Sequence, residues 1–436
     1  MIRFAYITLL ITFLSVSSGV VLGVERFPPP TFDSGHELPV TTTPEPRADV
    51  YEYLDVVVLL GMLSLVSYLA LKKRSRRGIF WAGVFSLIYF GFWRKGCVCS
   101  IGSIQNVTLA LFDTRYVVPM TVVAFFILPI LFALFFGRTF CAGVCPLGAI
   151  QDVVSVRPKK VPSWLENGLG LLPYLYLGGA VLFAATGSAF IICEYDPFIA
   201  FFRRSGSLNM FILGGAFLLV GLFVERPYCR FFCPYGVLLN LVSRASKWHV
   251  TITPAECIQC HLCADVCPLG VIQKPNTGEA ALPAAALSGR HEGMKRLAMY
   301  IVILPVLIVL SGWLGVRISP FFSRVNATVS LAERIWLEDA GKVEGTIEAS
   351  DAFRGTGRPT EALYNEALNL KKQFAFGGGA FGAFIGLVIG IKLIYLLIRR
   401  KRVDYEINRG GCVSCGRCFA YCPVGKEIMD MEVLGA

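Results

Sequence analysis

Long apolar stretches alternate with short polar loops along most of this 436-residue chain. Most of the stretches approach the roughly 20 residues that a helix needs to cross about 30 Å of hydrocarbon. The pattern predicts an α-helical integral membrane protein with about seven transmembrane helices. The stretches cover residues 54–71, 79–93, 117–136, 171–192, 208–224, 297–316 and 374–398, of which 79–93 is short enough to be a broken or re-entrant helix.

Two segments precede the first of these helices. Residues 1–24 carry Arg3, then an apolar run and small residues, a pattern typical of a signal peptide or a signal anchor. Residues 25–50 are rich in Pro and Thr, which indicates a linker outside the membrane.

Basic residues in the loops orient the predicted helices. Because Lys and Arg concentrate on the cytoplasmic side, they place the C-terminus inside and residue 25 in the periplasm of a bacterial cytoplasmic (inner) membrane. Arg94, Lys95, Arg203 and Arg204 then lie outside, against this rule. The inside assignment rests on Lys72, Lys73, Arg74, Arg76, Arg77, Arg157, Lys159, Lys160, Arg226, Arg230, Arg244 and residues 399–402.

Composition agrees with a membrane protein and excludes other classes. Hydrophobic residues make up 55% of the chain and charged residues 16%, with a mean hydropathy of +0.61. Soluble domains carry about 25% charged residues, and disordered chains are far less apolar. The net charge of +11 comes largely from residues at the ends of apolar stretches, so we expect no nucleic-acid partner.

Fifteen cysteines and four histidines point to redox chemistry or metal binding. A disulfide scaffold would be short and polar, which this chain is not. Haem in a bilayer normally takes His ligands from transmembrane helices. Because His36, His249, His261 and His291 all lie outside the apolar stretches, we expect no haem.

Two cysteine runs share the spacing C-x-x-C-x-x-C-x-x-x-C-P, which is typical of bacterial ferredoxins with [4Fe–4S] clusters. In paired runs three thiolates hold one cluster, and the fourth reaches the cluster of the other run. Zinc or unligated buried thiols are the alternatives. The sequence predicts one cluster held by Cys257, Cys260, Cys263 and Cys422 and another held by Cys412, Cys415, Cys418 and Cys267.

An internal repeat in the middle of the chain carries two further cysteine pairs. Each copy follows a predicted inward-running helix with the spacing C-x-x-x-C-P. Four thiols suffice for another cluster or metal, although packing at helix ends or a purely redox role would also explain them. The possible metal ligands are Cys141, Cys145, Cys229 and Cys233.

Three more cysteines fall on the predicted outer face, where residues 99–106 echo the repeat more weakly. Glu194 and Asp196 lie beside the last of them. Together these groups could hold a cluster that helps electrons to cross the hydrocarbon. A periplasmic disulfide or isolated thiols are the alternatives. The three cysteines are Cys97, Cys99 and Cys193.

These motifs together resemble the membrane polyferredoxins typified by NosR, NapH and PceC. The resemblance covers about residues 51–430. It implies an electron-transfer subunit, rather than a stand-alone enzyme, that passes electrons from a quinol or cytoplasmic donor to a periplasmic flavoprotein or reductase. An iron–sulfur redox sensor or an assembly factor is the alternative. The resemblance rests on the two ferredoxin runs, the R-x-F-C-x-x-x-C-P pattern at 138–146, its partner at 229–234, residues 97–105 and C-E-Y-D-P-F at 193–198.

One departure from the resemblance concerns flavin. NosR carries an extracytoplasmic FMN domain ahead of its membrane helices. Here only residues 25–50 separate the N-terminal segment from the first helix, and they contain no Ser/Thr-Gly-Ala-Thr flavin attachment sequence. We therefore expect FMN only through a partner.

The expected organisation combines these elements. A transmembrane core over residues 51–250 contains the repeat, and the ferredoxin runs form cytoplasmic segments over 251–296 and 399–436. Transmembrane helices 297–316 and 374–398 flank a periplasmic helical domain over 317–373. Within that domain the pattern of apolar residues predicts an amphipathic helix around 330–339.

Overall fold

The computed structural model describes residues 48–96, 99–156, 158–252, 257–275, 290–397, 402 and 404–423. The predicted signal segment, most of the linker 25–50, Cys97, Arg157 and the basic residues 399–401 lie outside the described residues. Within the described ranges the chain is almost entirely helical, with one two-stranded sheet.

The N-terminal half forms the helical core. Its second helix continues directly into a π-helical segment, Leu87–Trp93. The helices are α1 Asp49–Leu71, α2 Arg76–Ser86, α3 Ser103–Phe112, α4 Met120–Phe136, α5 Thr139–Gly143, α6 Pro146–Val154, α7 Ser163–Leu169, α8 Leu172–Ala185, α9 Ile191–Glu194, α10 Ile199–Arg203, α11 Leu208–Gly221, α12 Pro227–Phe231 and α13 Pro234–Ser243.

The C-terminal half contains two long helices and the sheet. The two strands pair antiparallel, with Ile272 opposite Ile407 and Gln273 opposite Glu406. The elements are α14 Leu262–Val266, β1 Ile272–Gln273, α15 Arg290–Ser323, α16 Ala327–Asp339, α17 Glu348–Gly355, α18 Thr360–Leu397, β2 Glu406–Ile407 and α19 Arg417–Tyr421.

Four helical segments of the described chain are long and apolar enough to cross a membrane. They overlap four of the seven stretches that the sequence predicted. The remaining predicted stretches form α4 and α11, of 17 and 14 residues, and α2 with its π-helical continuation. The four segments are Val50–Leu71, Ser163–Ala185, Ala298–Ser323 and Thr360–Leu396.

An internal ion pair explains one of the basic residues predicted outside the membrane, against the usual concentration of Lys and Arg on the cytoplasmic side. Arg94 Nη2 lies 2.7 Å from Asp55 Oδ2, and Asp55 is only 1% exposed. The Tyr89 hydroxyl donates a hydrogen bond to the other oxygen of the same carboxylate at 2.9 Å. Because Asp55 neutralises it inside the core, the Arg94 charge carries little information about orientation.

The long helices α15 and α18 pack closely along their length. A Cβ on Gly382 would collide with the carbonyl of Ser311, and one on Gly386 would meet Ser311 as well. Small residues at such contacts let two membrane helices approach at backbone distance. At one end of this pair, α16 begins at Ala327 and so covers the helix expected around 330–339, burying Val329 and Ile335 with Phe353 of α17.

Candidate iron–sulfur centres

The two ferredoxin runs follow the same backbone path. Gln259 and His261 have φ values of 53° and 65°, and Ser414 and Gly416, at the same offsets in the second run, have 53° and 72°. The left-handed conformation costs a non-glycine residue about 1–2 kcal/mol, so its recurrence in both runs marks a specific loop shape. A five-residue helix, α14 or α19, follows each loop and ends at the fourth cysteine.

The sheet places the two runs side by side, because β1 follows the first run and β2 precedes the second. Burial raises the pKa of the Cys412 thiol to about 12, and the neighbouring thiols of Cys415 and Cys267 raise it as well. Burial and the thiols of Cys415, Cys412 and Cys267 also raise the pKa of Cys418. Cys267 of the first run therefore lies within electrostatic reach of the second.

The electrostatic interaction also occurs in the other direction. Burial raises the pKa of the Cys263 thiol, and the thiols of Cys257, Cys260 and Cys422 raise it further. Cys418 of the second run also packs against the buried cluster that contains Cys267. Each fourth cysteine therefore lies within electrostatic reach of the other run, as crossed ligation requires. His261 does not join the thiols but hydrogen-bonds the Tyr405 hydroxyl.

The donor set of these runs fits an iron–sulfur cluster. Soft thiolates are the ligands that such clusters take. A thiol with a raised pKa keeps its proton at neutral pH unless a bound cation replaces it. In the part of the chain that the structure describes, no three or more His, Cys, Asp or Glu side chains are arranged to hold a single metal ion.

Proline positions the two C-x-x-x-C-P pairs. Pro146 and Pro234 are the first residues of α6 and α13, where a proline is favourable because its missing N–H has no intrahelical partner. Each second cysteine therefore stands at a helix N-cap. Cys233 Sγ accepts a hydrogen bond from the Gly236 N–H at 3.3 Å.

The four thiols of these pairs converge in the core. Burial raises the pKa of Cys145, and the thiols of Cys229, Cys141 and Cys233 raise it further. Burial also raises the pKa of Cys229 to about 11, although the Arg226 guanidinium opposes the change. The structure thus brings together Cys141, Cys145, Cys229 and Cys233, which we call the inner quartet.

Two buried arginines flank the inner quartet. Arg138 and Arg226 are 7% and 2% exposed, and each lies three residues before the first cysteine of its repeat copy. Arg138 donates to Cys141 Sγ at 3.7 Å and to the Gly410 carbonyl at 3.1 Å. No carboxylate of the described residues pairs with Arg138. A buried guanidinium needs a compensating negative charge, and deprotonated quartet thiols would supply it.

One cavity of about 200 Å³ adjoins both the inner quartet and the ferredoxin runs. Cys229 and Cys233 line it from the core, Val413 lines it from the second run, and Leu269 lines it directly after the first run. The inner quartet is therefore the next group of thiols beyond the ferredoxin runs.

A buried ion network holds the second ferredoxin run against the core. Asp152 of α6 accepts hydrogen bonds from Arg76 at 2.7 and 2.9 Å and from Arg417 at 3.2 Å. Arg417 also donates to Glu225 at 2.8 Å, and Arg76 donates to the Cys415 carbonyl at 3.1 Å. Because Arg417 and Cys415 belong to the second run, the network fixes its position relative to α2 and α6.

Cys99 and Cys193 lie on another side of the inner quartet. A Cβ on Gly102 would stand 3.1 Å from Cys193 Sγ. Burial raises the pKa of Cys99 to about 12, and the neighbouring Asp196 raises it as well. Cys99, Asp196 and Cys145 line one cavity of about 20 Å³, so Cys99 adjoins the inner quartet. The side chains of Cys193 and Glu194 are exposed.

Arg138, Arg226 and Gln151 are site residues that the sequence did not predict. Arg226 was expected in a cytoplasmic loop, whereas the structure buries it. Gln151 Nε2 donates to Cys229 Sγ at 3.2 Å. The available signal was the repeat itself, in which an arginine stands at the same offset before each cysteine pair.

Comparison with known protein families agrees with iron–sulfur binding. Residues 118–163 and 207–253 match a 4Fe-4S binding domain, and these segments contain both cysteine pairs of the inner quartet. Residues 250–273 match a second 4Fe-4S binding domain, which contains the first ferredoxin run.

Three relatives share 27–29% identity with the chain. YccM of Escherichia coli K12, named as a candidate electron transport protein, is 28% identical over 32% of this chain and 43% of its own length. Protein NirI of Paracoccus denitrificans is 29% identical over 50% of this chain and 34% of its own length. Regulatory protein NosR of Stutzerimonas stutzeri is 27% identical over 50% of this chain and 33% of its own length.

These matches support a NosR/NapH-like membrane polyferredoxin family. Four apolar helices and the similarity to NosR and NirI indicate a membrane protein related to iron–sulfur electron-transport proteins. It spans less than half the length of YccM and about a third of NirI and NosR. No solved structure matches it.

Proposed function

We propose that this NosR/NapH-like polyferredoxin carries electrons across a bacterial inner membrane through iron–sulfur clusters held by its own cysteines. A quinol or a cytoplasmic donor supplies the electrons, and a periplasmic flavoprotein or reductase, which brings any FMN, receives them. Bound clusters supply one-electron redox chemistry. The chain's own residues hold the clusters, exclude water from them and balance their charge.

The interleaving of the ferredoxin runs carries the proposal. Cys418 of the second run packs against the buried cluster that contains Cys267, and Cys412 and Cys422 lie within electrostatic reach of cysteines of the first run. Crossed ligation of two clusters requires both contacts, whereas a zinc site within a single run requires neither. We infer one [4Fe–4S] cluster on Cys257, Cys260, Cys263 and Cys422 and another on Cys412, Cys415, Cys418 and Cys267.

The inner quartet extends the proposed route of the electrons beyond the ferredoxin runs. Two buried and two half-buried thiols stand beside the buried guanidiniums of Arg138 and Arg226, so a cluster with four thiolate ligands would find its negative charge compensated. The quartet shares one cavity with the ferredoxin runs and another with Cys99. These contacts support a third centre on the inner quartet and a route onward to the outer cysteines.

A seven-span topology, with both ferredoxin runs in the cytoplasm, completes the proposal. The shorter helices α4 and α11 are apolar, and α2 with its continuation runs from Arg76 to Trp93. The pairing of β1 with β2 requires both runs on one face of the membrane. The two long helices between the runs, α15 and α18, return the chain to that face.

Sealed vesicles test the transfer. Protein is reconstituted with ferricyanide trapped inside, and dithionite is added outside to reduce the molecules whose ferredoxin runs face outward. We expect the trapped ferricyanide to be reduced by the natural protein but not by Cys229→Ala, which breaks the inner quartet. Vesicles without protein control for leakage. If the ferredoxin clusters are intact but ferricyanide stays oxidised, the protein does not conduct, and a sensor or assembly role would replace this proposal.

A further inference from the structure

Three basic residues on the predicted outer face stand at the surface of the molecule. Lys and Arg are depleted in short loops on that side of a membrane, because they oppose the orientation of the helices. Arg94 turns inward to the buried Asp55, but Lys95, Arg203 and Arg204 are exposed. Exposed cations that oppose the orientation of the helices indicate another role at this surface.

Packing brings these residues together, although they belong to two distant segments of the chain. A Cβ on Gly96 would stand 3.2 Å from the ring of Phe202, and the rings of Phe92 and Phe202 pack edge-on with centroids 5.5 Å apart. Lys95 directly precedes Gly96, and Arg203 directly follows Phe202. Lys95, Arg203 and Arg204 therefore form one surface, which we call the basic face.

The backbone holds two residues of the basic face in an unusual conformation. Lys95 and Arg204 have φ values of 52° and 55°, in the left-handed region that residues with a Cβ rarely adopt. Arg204 directly follows α10, at a position where glycine is the usual residue. Lysine and arginine at such positions indicate that their side chains are needed at this surface.

The basic face carries an excess of positive charge. Its two segments, residues 93–96 and 193–207, contain two carboxylates. Glu194 is exposed, whereas Asp196 is 5% exposed and accepts a hydrogen bond from the N–H of Phe198 at 2.9 Å. At the surface the three cations of the basic face therefore outnumber the carboxylates of these segments, and the face attracts negative charge.

The basic face also adjoins the proposed route of the electrons. Gly96 and Phe202, the chain neighbours of two of its cations, line the small cavity that Cys145 of the inner quartet lines as well. Burial and Asp196 raise the pKa of the exposed Cys193 thiol, while Arg203 lowers it, so Arg203 lies within electrostatic reach of that thiol. An electron that leaves the inner quartet on the side of Cys145 therefore approaches the basic face.

We propose that Lys95, Arg203 and Arg204 form a docking face for the acidic surface of a soluble electron carrier, which accepts electrons at this end of the route. This inference rests on the proposed function and specifies the partner at its outer end. In each transfer the centre on the inner quartet loses one electron and is oxidised, while the carrier gains that electron and is reduced. Opposite charges steer the two proteins together and raise the association rate, most strongly at low salt.

A soluble partner explains the basic face better than lipid phosphate does. Basic side chains at helix ends reach lipid headgroups from ordinary helical backbone, because their long stems extend along apolar surface. The left-handed backbone at Lys95 and Arg204 is not needed for that contact, nor is a position beside the electron route. Residues 203–209 are exposed without interruption, as a surface that meets a soluble protein requires.

Sealed vesicles of phosphatidylcholine, which has no net charge, test the inference. The protein is reconstituted with a trapped one-electron oxidant, either the anion ferricyanide or the cation hexaammineruthenium(III), and dithionite is added outside. We expect Arg204→Glu to slow the reduction of ferricyanide several-fold at about 0.01 M salt and to speed that of the cation. Both effects should shrink at about 1 M salt, where charges act over only roughly 3 Å.

Two further variants separate charge from structure. Arg204→Gln removes the charge without reversing it, so we expect smaller changes in the same directions. Lys372→Glu is the matched control, because it makes the same reversal of charge at an exposed residue of α18. It should leave both rates unchanged. The EPR signals of the reduced ferredoxin clusters show whether each variant is folded.

The possible results separate the inference from the proposed function. If Arg204→Glu slows both oxidants equally, changes neither, or acts no differently from Lys372→Glu, the inference is wrong, while transfer by the natural protein still supports the proposed function. An effect that appears only after anionic phosphatidylglycerol is added would assign the basic face to lipid instead. If the natural protein reduces neither oxidant although its ferredoxin clusters are intact, the proposed function fails, and this inference fails with it.

Discussion

Cys263 and Cys267 stand four residues apart in one run, yet their thiols meet different neighbours. Cys263 approaches Cys422, and Cys267 approaches Cys412 and Cys418. The neighbours of each thiol therefore depend on the position of its residue within the run, although the two runs are distant in sequence.

Alanine substitutions at these two positions separate the clusters. We expect Cys263→Ala to damage the cluster of the first run and Cys267→Ala to damage that of the second, each with a loss of up to about four irons per chain. EPR of the reduced variants, together with iron analysis, measures both effects. If the two variants lose the same signal, ligation is not crossed.

Arg138 gives a second prediction at this scale, because its buried charge lies against the inner quartet. Arg138→Met removes one positive charge beside a centre with four thiolates. We expect a lower reduction potential for that centre, since a nearby cation favours the more negative, reduced state. Arg138→Lys keeps the charge and should retain most of the potential. Equal potentials in the natural protein and Arg138→Met would show that this charge does not act on a quartet centre.

At the scale of elements, glycine sets the contact between α15 and α18. A Cβ on Gly382 would collide with the Ser311 carbonyl, whereas a Cβ on Gly215 of α11 would meet nothing within 4 Å. We expect Gly382→Ala to lower the free energy of unfolding by about 1–3 kcal/mol and to lower Tm, because backbone must move. Gly215→Ala is the matched control and should leave Tm unchanged or slightly raised. Thermal unfolding in detergent compares them, and equal Tm values would exclude the close contact.

The ion network around Asp152 joins three elements, α2, α6 and α19. Removing one partner of a buried ion network typically costs about 3–5 kcal/mol, so Asp152→Asn should lower stability by this order and loosen the second ferredoxin run. Denaturant unfolding in detergent measures the change. Full stability of this variant would show that the network is not needed to hold the run.

The same network predicts a pH dependence. Burial favours protonation of Asp152, but Arg226, Arg76 and Arg417 outweigh it and hold the pKa well below its ordinary value of 3.8. A carboxylate with a lowered pKa stabilises the fold fully above its unfolded pKa and loses this effect as pH falls towards the folded value. The stability difference between the natural protein and Asp152→Asn should therefore stay constant from pH 7 to about 5 and shrink below about pH 4. A difference that grows on acidification would contradict the sign.

At the scale of the whole molecule, the sequence predicted the apolar helices and the cysteine groups, because both depend on local patterns. A run of apolar residues is itself the signal for a membrane helix, and cysteine spacing is itself the signal for a cluster loop. The prediction of seven spans depended only on the lengths of the apolar stretches. The structure breaks several apolar stretches into short helices, so four spans among the described residues meet the length of a crossing helix by themselves.

The rest of the site required the three-dimensional structure. Arg226 follows Glu225 in a polar stretch and looked like a loop charge, yet Asp152 and the cysteines enclose it. Gln151 is far from Cys229 in sequence, and nothing local distinguishes it from other polar residues in a core. Only packing brings its side-chain amide to the Cys229 thiol.

Iron and acid-labile sulfide per chain, measured on protein purified without oxygen, test the central claim most directly. If the inner quartet carries a centre in addition to the two ferredoxin clusters, the count lies clearly above about eight irons per chain, with matching sulfide. A count of about eight, with both ferredoxin signals present, would confine the clusters to Cys257–Cys267 and Cys412–Cys422. The chain would then hold no centre of its own for the crossing, which contradicts the account.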